Sequence, residues 1–252
     1  MKPVIYKNNR EETLDKVLKA DFIISDFDGT DVKSPLKIAA IEYCSKLDNL
    51  LKHPGLIAWG FKAITERYLT KGKDAESALW EEFSERVGDD IHDMINSLRD
   101  CFWLKNNAFV KKIDSYFLPG VKQFYATLPE TENFYVSRNF TDILALFGSE
   151  LNIPLENIYS ELPSKGLALE QIVEKNKLEG KKGGIYLLRG DSKSDDEVLD
   201  VAEHYRRKQV IDDYVGIAIG NSSHSSNDHV DVVLSPNQCS FVEELNLYRS
   251  KQ

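Results

Sequence analysis

The chain has 252 residues, of which 42% are apolar and 10% aromatic, so its composition is that of a folded protein and excludes a disordered one. The net charge is −9. Residues 32–117 carry 13 basic and 13 acidic side chains, which leaves 19 basic and 28 acidic side chains elsewhere. Neither part offers the basic face with which proteins bind nucleic acid.

Features of targeting and membrane insertion are missing from the sequence. No apolar run approaches the ~18 residues that a membrane-spanning helix needs, and residues 1–10 hold charges without the apolar centre of a signal peptide. The cysteines Cys44, Cys101 and Cys239 are odd in number and far apart, which does not indicate a disulfide framework. We therefore expect a cytoplasmic protein without a membrane partner.

The first predicted element is a buried strand over residues 21–26, where apolar β-branched residues cluster. From Ser34 the apolar residues recur with a helical period, and Pro35 suits a first helical position. Four such stripes predict a helical bundle from 34 to about 115. The sequence therefore predicts a core formed by residues 1–31 and 118–252, with residues 32–117 inserted as an all-helical cap.

Strand and helix patterns alternate after Leu118. Helices are predicted over 120–128, 141–150, 165–177 and 195–208. Strands are predicted over 133–137, near Ile158, and over 184–188, 214–219 and 230–234. Repeated β–α units of this kind form a mostly parallel sheet with helices on both faces. The predicted fold class is therefore α/β, with a doubly wound sheet.

Polar side chains follow several of these strands. Asp26 and Asp28 follow the first strand, Ser137 ends the next, and Asp191 and Asp195 follow strand 184–188. Because ligands bind beyond the carboxyl ends of strands in such sheets, we expect these groups to lie together. Clustered carboxylates need a compensating cation, and their hard oxygen atoms suit Mg²⁺.

These residues resemble the four signature motifs of the haloacid dehalogenase (HAD) superfamily. The motifs are Asp26-Phe27-Asp28-Gly29-Thr30, a strand ending in Ser137, a lysine, and Gly190-Asp191 followed by Asp195. The resemblance covers about 165 residues, all but the helical insert. It implies a Rossmann-like HAD core interrupted by a cap.

The resemblance also implies roles for single residues. Asp26 would be the nucleophile that forms an aspartyl-phosphate, and Asp28 the general acid and base. Mg²⁺ would be held by Asp26, Asp28, Asp191 and Asp195, the last through a water molecule. The phosphate group would be bound by Ser137 and Lys165, with Gly29, Thr30, Arg138 and Asn221 as further candidates.

The lysine of the third motif has three candidates. Lys165 opens a predicted helix at the edge where the preceding strand ends, whereas Lys181 and Lys182 lead into strand 184–188 at the opposite edge. We therefore select Lys165.

Several of these residues could have a structural role instead of a functional one. Ser137 could cap the following helix, and Asp195 could be an ordinary acid of a first helical turn. Arg138 could touch substrate or solvent, and Asn221 could lie at the site or outside it. Asp31 stands where relatives usually have an apolar residue; it could contact the cap hinge, but we expect it to face water. We expect His224 and His229 to lie in a surface loop.

The acid at Asp28 disfavours a dehalogenase, because relatives with that activity lack it. The insert between the first two motifs resembles the helical caps of phosphoserine and phosphoglycolate phosphatases and β-phosphoglucomutase. We therefore expect a Mg²⁺-dependent phosphatase that hydrolyses a small phosphorylated metabolite through an aspartyl-phosphate intermediate. The alternatives are a phosphomutase or phosphotransferase acting on a sugar phosphate, and a non-catalytic HAD-fold binding protein. The sequence does not indicate an oligomeric state or a particular substrate.

Overall fold

The computed structural model describes residues 4–33, 113–139, 141–181, 183–220 and 223–252. Apart from 113–116, these residues belong to one compact unit made of Met1–Lys33 and Phe117–Gln252. The predicted helical cap over 32–117 lies outside the described residues except at its ends, and it stays a prediction. Where the insert leaves and rejoins the core, Val32 and Phe117 form an antiparallel bridge.

Among the described residues, seven strands form one sheet in the order β1-β7-β6-β5-β2-β3-β4. The strands are β1 (Ile5–Tyr6), β2 (Phe22–Ser25), β3 (Glu132–Ser137), β4 (Ile158–Ser160), β5 (Ile185–Gly190), β6 (Asp213–Ile219) and β7 (Val232–Leu234). Strand β1 is antiparallel to β7, and the other pairs are parallel. The predicted α/β fold with a mostly parallel sheet is confirmed.

The described helices are α1 (Arg10–Leu18), α2 (Val121–Thr127), α3 (Thr141–Ser149), α4 (Lys165–Leu178), α5 (Asp196–Arg207) and α6 (Cys239–Arg249). Helices α1 and α6 and strand β1 were not predicted. None of the described helices combines the length and apolar character needed to cross a membrane.

Side chains alternate along each strand, so the two faces of the sheet pack against different helices. Phe22 and Ile24 of β2 belong to a buried apolar cluster that includes Leu169 of α4 and Leu199 of α5. Helices α4 and α5 pack on each other, as do α2 and α6. On the other face of the sheet, Arg189 of β5 donates to the hydroxyl of Tyr125 in α2. Helices thus cover both faces of the sheet, as the repeated β–α units predicted.

Candidate active site

The site lies where β2, β3 and β5 end. Strand β2 pairs in parallel with both β3 and β5, so the residues that follow the three strands emerge at one edge of the sheet. Asp26 follows β2, Ser137 ends β3, and Asp191 follows β5. All three are buried. The parallel register therefore brings together residues that are far apart in the chain.

Lys165 lies between two carboxylates at this edge. Its Nζ is 2.8 Å from Asp26 Oδ1 and 2.6 Å from Asp195 Oδ1. The three side chains are only 5–7% exposed, so water screens these contacts weakly. By contrast, Lys181 pairs with Glu132 and Glu179 near the surface, and Lys182 lies outside the described residues. The structure thus places the selected lysine beside Asp26.

The start of helix α4 fixes the position of Lys165. Ser164 caps the helix, its Oγ accepting from the backbone N–H of Leu167. The same hydroxyl donates to Glu197 Oε2 at 2.7 Å, and the backbone N–H of Lys165 donates to that oxygen at 3.1 Å. A carboxylate from α5 therefore satisfies the first amide group of α4, and it is also favoured there by the helix dipole.

Asp195 shapes the turn that carries Asp191. Its Oδ2 accepts from the backbone N–H groups of Asp191 and Ser192, each at 3.0 Å. Because its Oδ1 contacts Lys165, one carboxylate holds both the turn and the ammonium group. Gly190 permits this approach, since a Cβ there would lie 2.4 Å from the Cβ of Asp195. Asp195 can therefore stabilise this turn and belong to the site at the same time.

Three carboxylates converge beside the lysine. Asp26, Asp191 and Asp195 each offer an oxygen, and these oxygens lie within 4.8 Å of one another. One ammonium group does not balance three carboxylates, and the remaining negative charge would be offset by a divalent cation. Hard oxygen ligands in a buried cluster suit Mg²⁺. The donor set therefore fits the metal expected from the sequence.

The electrostatics of the cluster show the same imbalance. Burial raises the pKa of Asp26 well above its usual value; Lys165 opposes the shift, and Asp195 and Asp191 add to it. Burial also acts to raise the pKa of Asp195, but Lys165 and His224 outweigh it and the pKa is lowered. For Lys165 burial acts to lower the pKa, yet the two carboxylates raise it above its usual value. Lys165 is therefore a permanent cation at neutral pH.

Asp28 lies at the partly exposed side of the site. Asn139 Nδ2 donates to Asp28 Oδ2 at 2.9 Å, and the backbone N–H of Asn139 donates to Ser137 Oγ at 3.2 Å. The end of β3 thus supports the second aspartate. Asn139 was missed in the sequence analysis, although it stands two residues after Ser137 at the same strand end.

The remaining candidates for phosphate binding differ in their surroundings. Gly29 adopts a φ of 80°, and its N–H donates to Val32 O, which closes the loop after β2. Thr30 is buried and Arg138 is exposed. Asn221 lies outside the described residues. The loop glycine therefore has a conformational role of its own, because L side chains rarely adopt this φ.

Two expectations about polar residues were wrong. Asp31 does not face water: it is fully buried and pairs with Arg189 at 2.8 Å. His224 is not on the surface: it is buried, and its Nδ1 donates to Asp196 Oδ1 at 2.6 Å. His229 is half-buried and contacts Tyr214. Each polar residue could be buried because the fold supplies a partner that is distant in sequence.

Comparisons with known proteins bear on the fold. No family model matches the chain, and no curated protein sequence matches it. A solved structure described as DsGPDH of Dunaliella salina is similar at a TM-score of 0.56 and 17% identity. The match covers 96% of this chain but only 38% of that protein, so the chain spans well under half of its length.

Two further solved structures are similar to the chain with lower scores. A haloacid dehalogenase-like hydrolase from Streptococcus pneumoniae has a TM-score of 0.49 and 16% identity, with 92% of this chain and 99% of that chain covered. A phosphoserine phosphohydrolase-like protein from Francisella tularensis has a TM-score of 0.43 and 17% identity, with 89% and 92% covered. At these identities the likeness is one of fold alone.

Proposed function

We propose that the protein is a Mg²⁺-dependent phosphatase that hydrolyses a small phosphorylated metabolite. The observation that carries this proposal is the buried cluster of Asp26, Asp191 and Asp195 around the ammonium group of Lys165. A carboxylate that attacks an anionic phosphate group needs positive charge beside it. The proposed class agrees with the hydrolase descriptions of the Streptococcus and Francisella proteins.

Asp26 is the nucleophile of the proposed reaction. One of its carboxylate oxygens attacks phosphorus, the bond from phosphorus to the leaving oxygen breaks, and an aspartyl-phosphate forms. Lys165 contacts Asp26 Oδ1 at 2.8 Å, so its charge opposes the effect of burial on the pKa of Asp26 and orients the carboxylate. Water then attacks phosphorus, which breaks the new bond and releases inorganic phosphate and free Asp26.

Asp28 moves the protons in both steps. It protonates the leaving oxygen in the first step, and it takes a proton from the attacking water in the second. The amide group of Asn139 donates to Asp28 Oδ2, which orients the carboxyl group. The partly exposed position of Asp28 suits a group that must meet both the leaving alcohol and water.

Asp26, Asp28, Asp191 and Asp195 would hold Mg²⁺, which when bound neutralises charge on the phosphate oxygens. Asp195 also stabilises the turn that carries Asp191, since it accepts from the backbone N–H of Asp191. The phosphate group would also be bound by Ser137 and Lys165, together with Gly29 and Thr30 in the loop after β2. Arg138 and Asn221 remain proposed contacts.

The test is phosphate release from a panel of small phosphate esters, measured with Mg²⁺ and with chelator. Wild type should release phosphate only with Mg²⁺, and D26N should lose this activity. D200N is the matched control, because it makes the same chemical change at an exposed position of α5 and should leave activity unchanged. Turnover by D26N at the wild-type rate, or no turnover of any ester by wild type that binds Mg²⁺, would contradict the proposal.

A further inference from the structure

A buried ion pair lies behind the site, on the face of the sheet opposite Lys165. Arg189 Nη1 is 2.8 Å from Asp31 Oδ1, and both side chains are 0% exposed. The hydroxyl of Tyr125 donates to Asp31 Oδ2 at 2.7 Å and accepts from Arg189 at 3.2 Å. The guanidinium carbon lies 4.4 Å from the centre of the Phe124 ring. The pair is therefore buried and contacted from several directions.

The guanidinium also reaches both ends of the loop that carries the two catalytic aspartates. It donates to Ser25 Oγ at 3.3 Å, and that hydroxyl donates to the backbone carbonyl of Asp26 at 2.9 Å. It donates to Gln238 Oε1 at 2.7 Å, while Gln238 Nε2 donates to the carbonyl of Thr30 at 2.9 Å. One side chain thus connects, through two polar groups, to the first and fifth residues of the loop 26–30.

The backbone of Arg189 completes the connection. Its carbonyl accepts from the N–H of Asp26 at 2.9 Å, and Gly190 and Asp191 follow it directly in β5 and beyond. Arg189, whose side chain connects to the loop, therefore also lies two residues before Asp191. A shift of Arg189 would change the position of Asp26 relative to Asp191.

We propose that the Arg189–Asp31 pair is a positioning device that sets the separation of the Asp26 and Asp191 carboxylates. This inference rests on the proposed function for the role of Asp26. Neither residue of the pair touches the reacting atoms, so both act through the loop 26–30 and the end of β5. Residues that support metal ligands in this way commonly change metal affinity or activity by about 10–100-fold when substituted.

A contribution to the stability of the fold is a poor explanation for the presence of this pair. Buried ion pairs are costly to desolvate, and apolar residues of similar size often serve a core at least as well. An arginine fork that binds a carboxylate, an amide and a hydroxyl gives fixed directions, which lysine or an apolar residue does not. Besides being buried, the pair therefore fixes the directions of the contacts that Arg189 makes.

The experiment compares D31N/R189M, R189K and wild type. The double variant removes both charges: D31N keeps the shape of its side chain, whereas R189M keeps an unbranched apolar chain without the guanidinium. R189K retains the charge without the fork. E203Q/R206M is the matched control, because it neutralises a carboxylate–arginine pair of α5 outside the site, in which Arg206 is 44% and Glu203 10% exposed. Each protein is first shown to be folded by near-ultraviolet circular dichroism at the assay temperature. The readouts are the Mg²⁺ dissociation constant by calorimetry, and kcat and KM with the best ester.

For D31N/R189M we expect the Mg²⁺ dissociation constant to rise about 10-fold and kcat to fall about 10–100-fold, with KM within about 3-fold of wild type. R189K should lie between the double variant and wild type, and the control should match wild type. A folded double variant with wild-type Mg²⁺ affinity and kcat would overturn the inference, even if its stability is lower. If wild type binds Mg²⁺ but turns over no ester, the proposed function fails and the Mg²⁺ affinities still decide the inference. A wild type that binds no Mg²⁺ would overturn both.

Discussion

Removal of the buried ammonium group should expose the charge imbalance of the site. In K165M, Asp26 and Asp195 lose a cation at 2.8 and 2.6 Å while staying at 6% and 5% exposure. Breaking a buried pair by removing one partner costs about 3–5 kcal/mol. We expect a loss of this size in the free energy of unfolding at pH 7.5 in chelator, measured by urea denaturation. The matched substitution K181M removes contacts between partly exposed groups and should cost at most about 1 kcal/mol.

The loss in K165M should also depend on pH. Without the lysine, the folded-state pKa values of Asp26 and Asp195 are raised, so the folded protein binds more protons than the unfolded chain between the ordinary pKa and the raised one. Stability then falls as pH rises through this window. The difference between wild type and K165M should therefore be smaller at pH 5 than at pH 7.5. A K165M loss equal to that of K181M, or one that does not change with pH, would refute the reasoning.

Three further outcomes follow from the described contacts. The neighbouring arginines, Arg206 foremost, lower the pKa of Glu203 to about 2. The ionised carboxylate therefore stabilises the fold above about pH 4.5, and this contribution is lost as pH falls toward 2. In urea titrations over that range, E203Q should lose less stability than wild type, by up to about 1 kcal/mol. G190A should lower the free energy of unfolding by about 1–3 kcal/mol and reduce activity, because its Cβ meets Asp195 at 2.4 Å; a variant with the wild-type melting temperature and kcat would contradict this. Mg²⁺ at 100 times its dissociation constant should stabilise wild type by about 2.7 kcal/mol, and D191N should show no such gain in the same scan; equal gains would exclude Asp191 as a ligand.

The sheet and the convergent carboxylates could be predicted because their signals are local. A short apolar run marks each central strand, and the rule that ligands bind at strand ends selects Asp26, Ser137 and Asp191 for examination. The position of Lys165 followed from the edge of the sheet at which its helix begins. These inferences needed only the order of strands and helices along the chain.

Contacts between residues that are distant in sequence could not be predicted in this way. Asp31 and Arg189 are separated by more than 150 residues, and each alone looks like a polar residue near a strand end. Strand β1 has two residues, too few for a period, and its place is set by pairing with β7. His224 lies in a stretch rich in serine and asparagine, so its burial against Asp196 depends on tertiary packing.

The most direct test of the account is detection of the covalent intermediate. Wild type turning over its best ester with Mg²⁺ is quenched in acid and treated with borohydride, which converts an aspartyl-phosphate into homoserine. Peptide mass spectrometry then locates the change. We predict homoserine at position 26, absent when substrate or Mg²⁺ is omitted. Steady phosphate release with residue 26 still aspartate, or homoserine at another position, would contradict the assignment of Asp26 as the nucleophile.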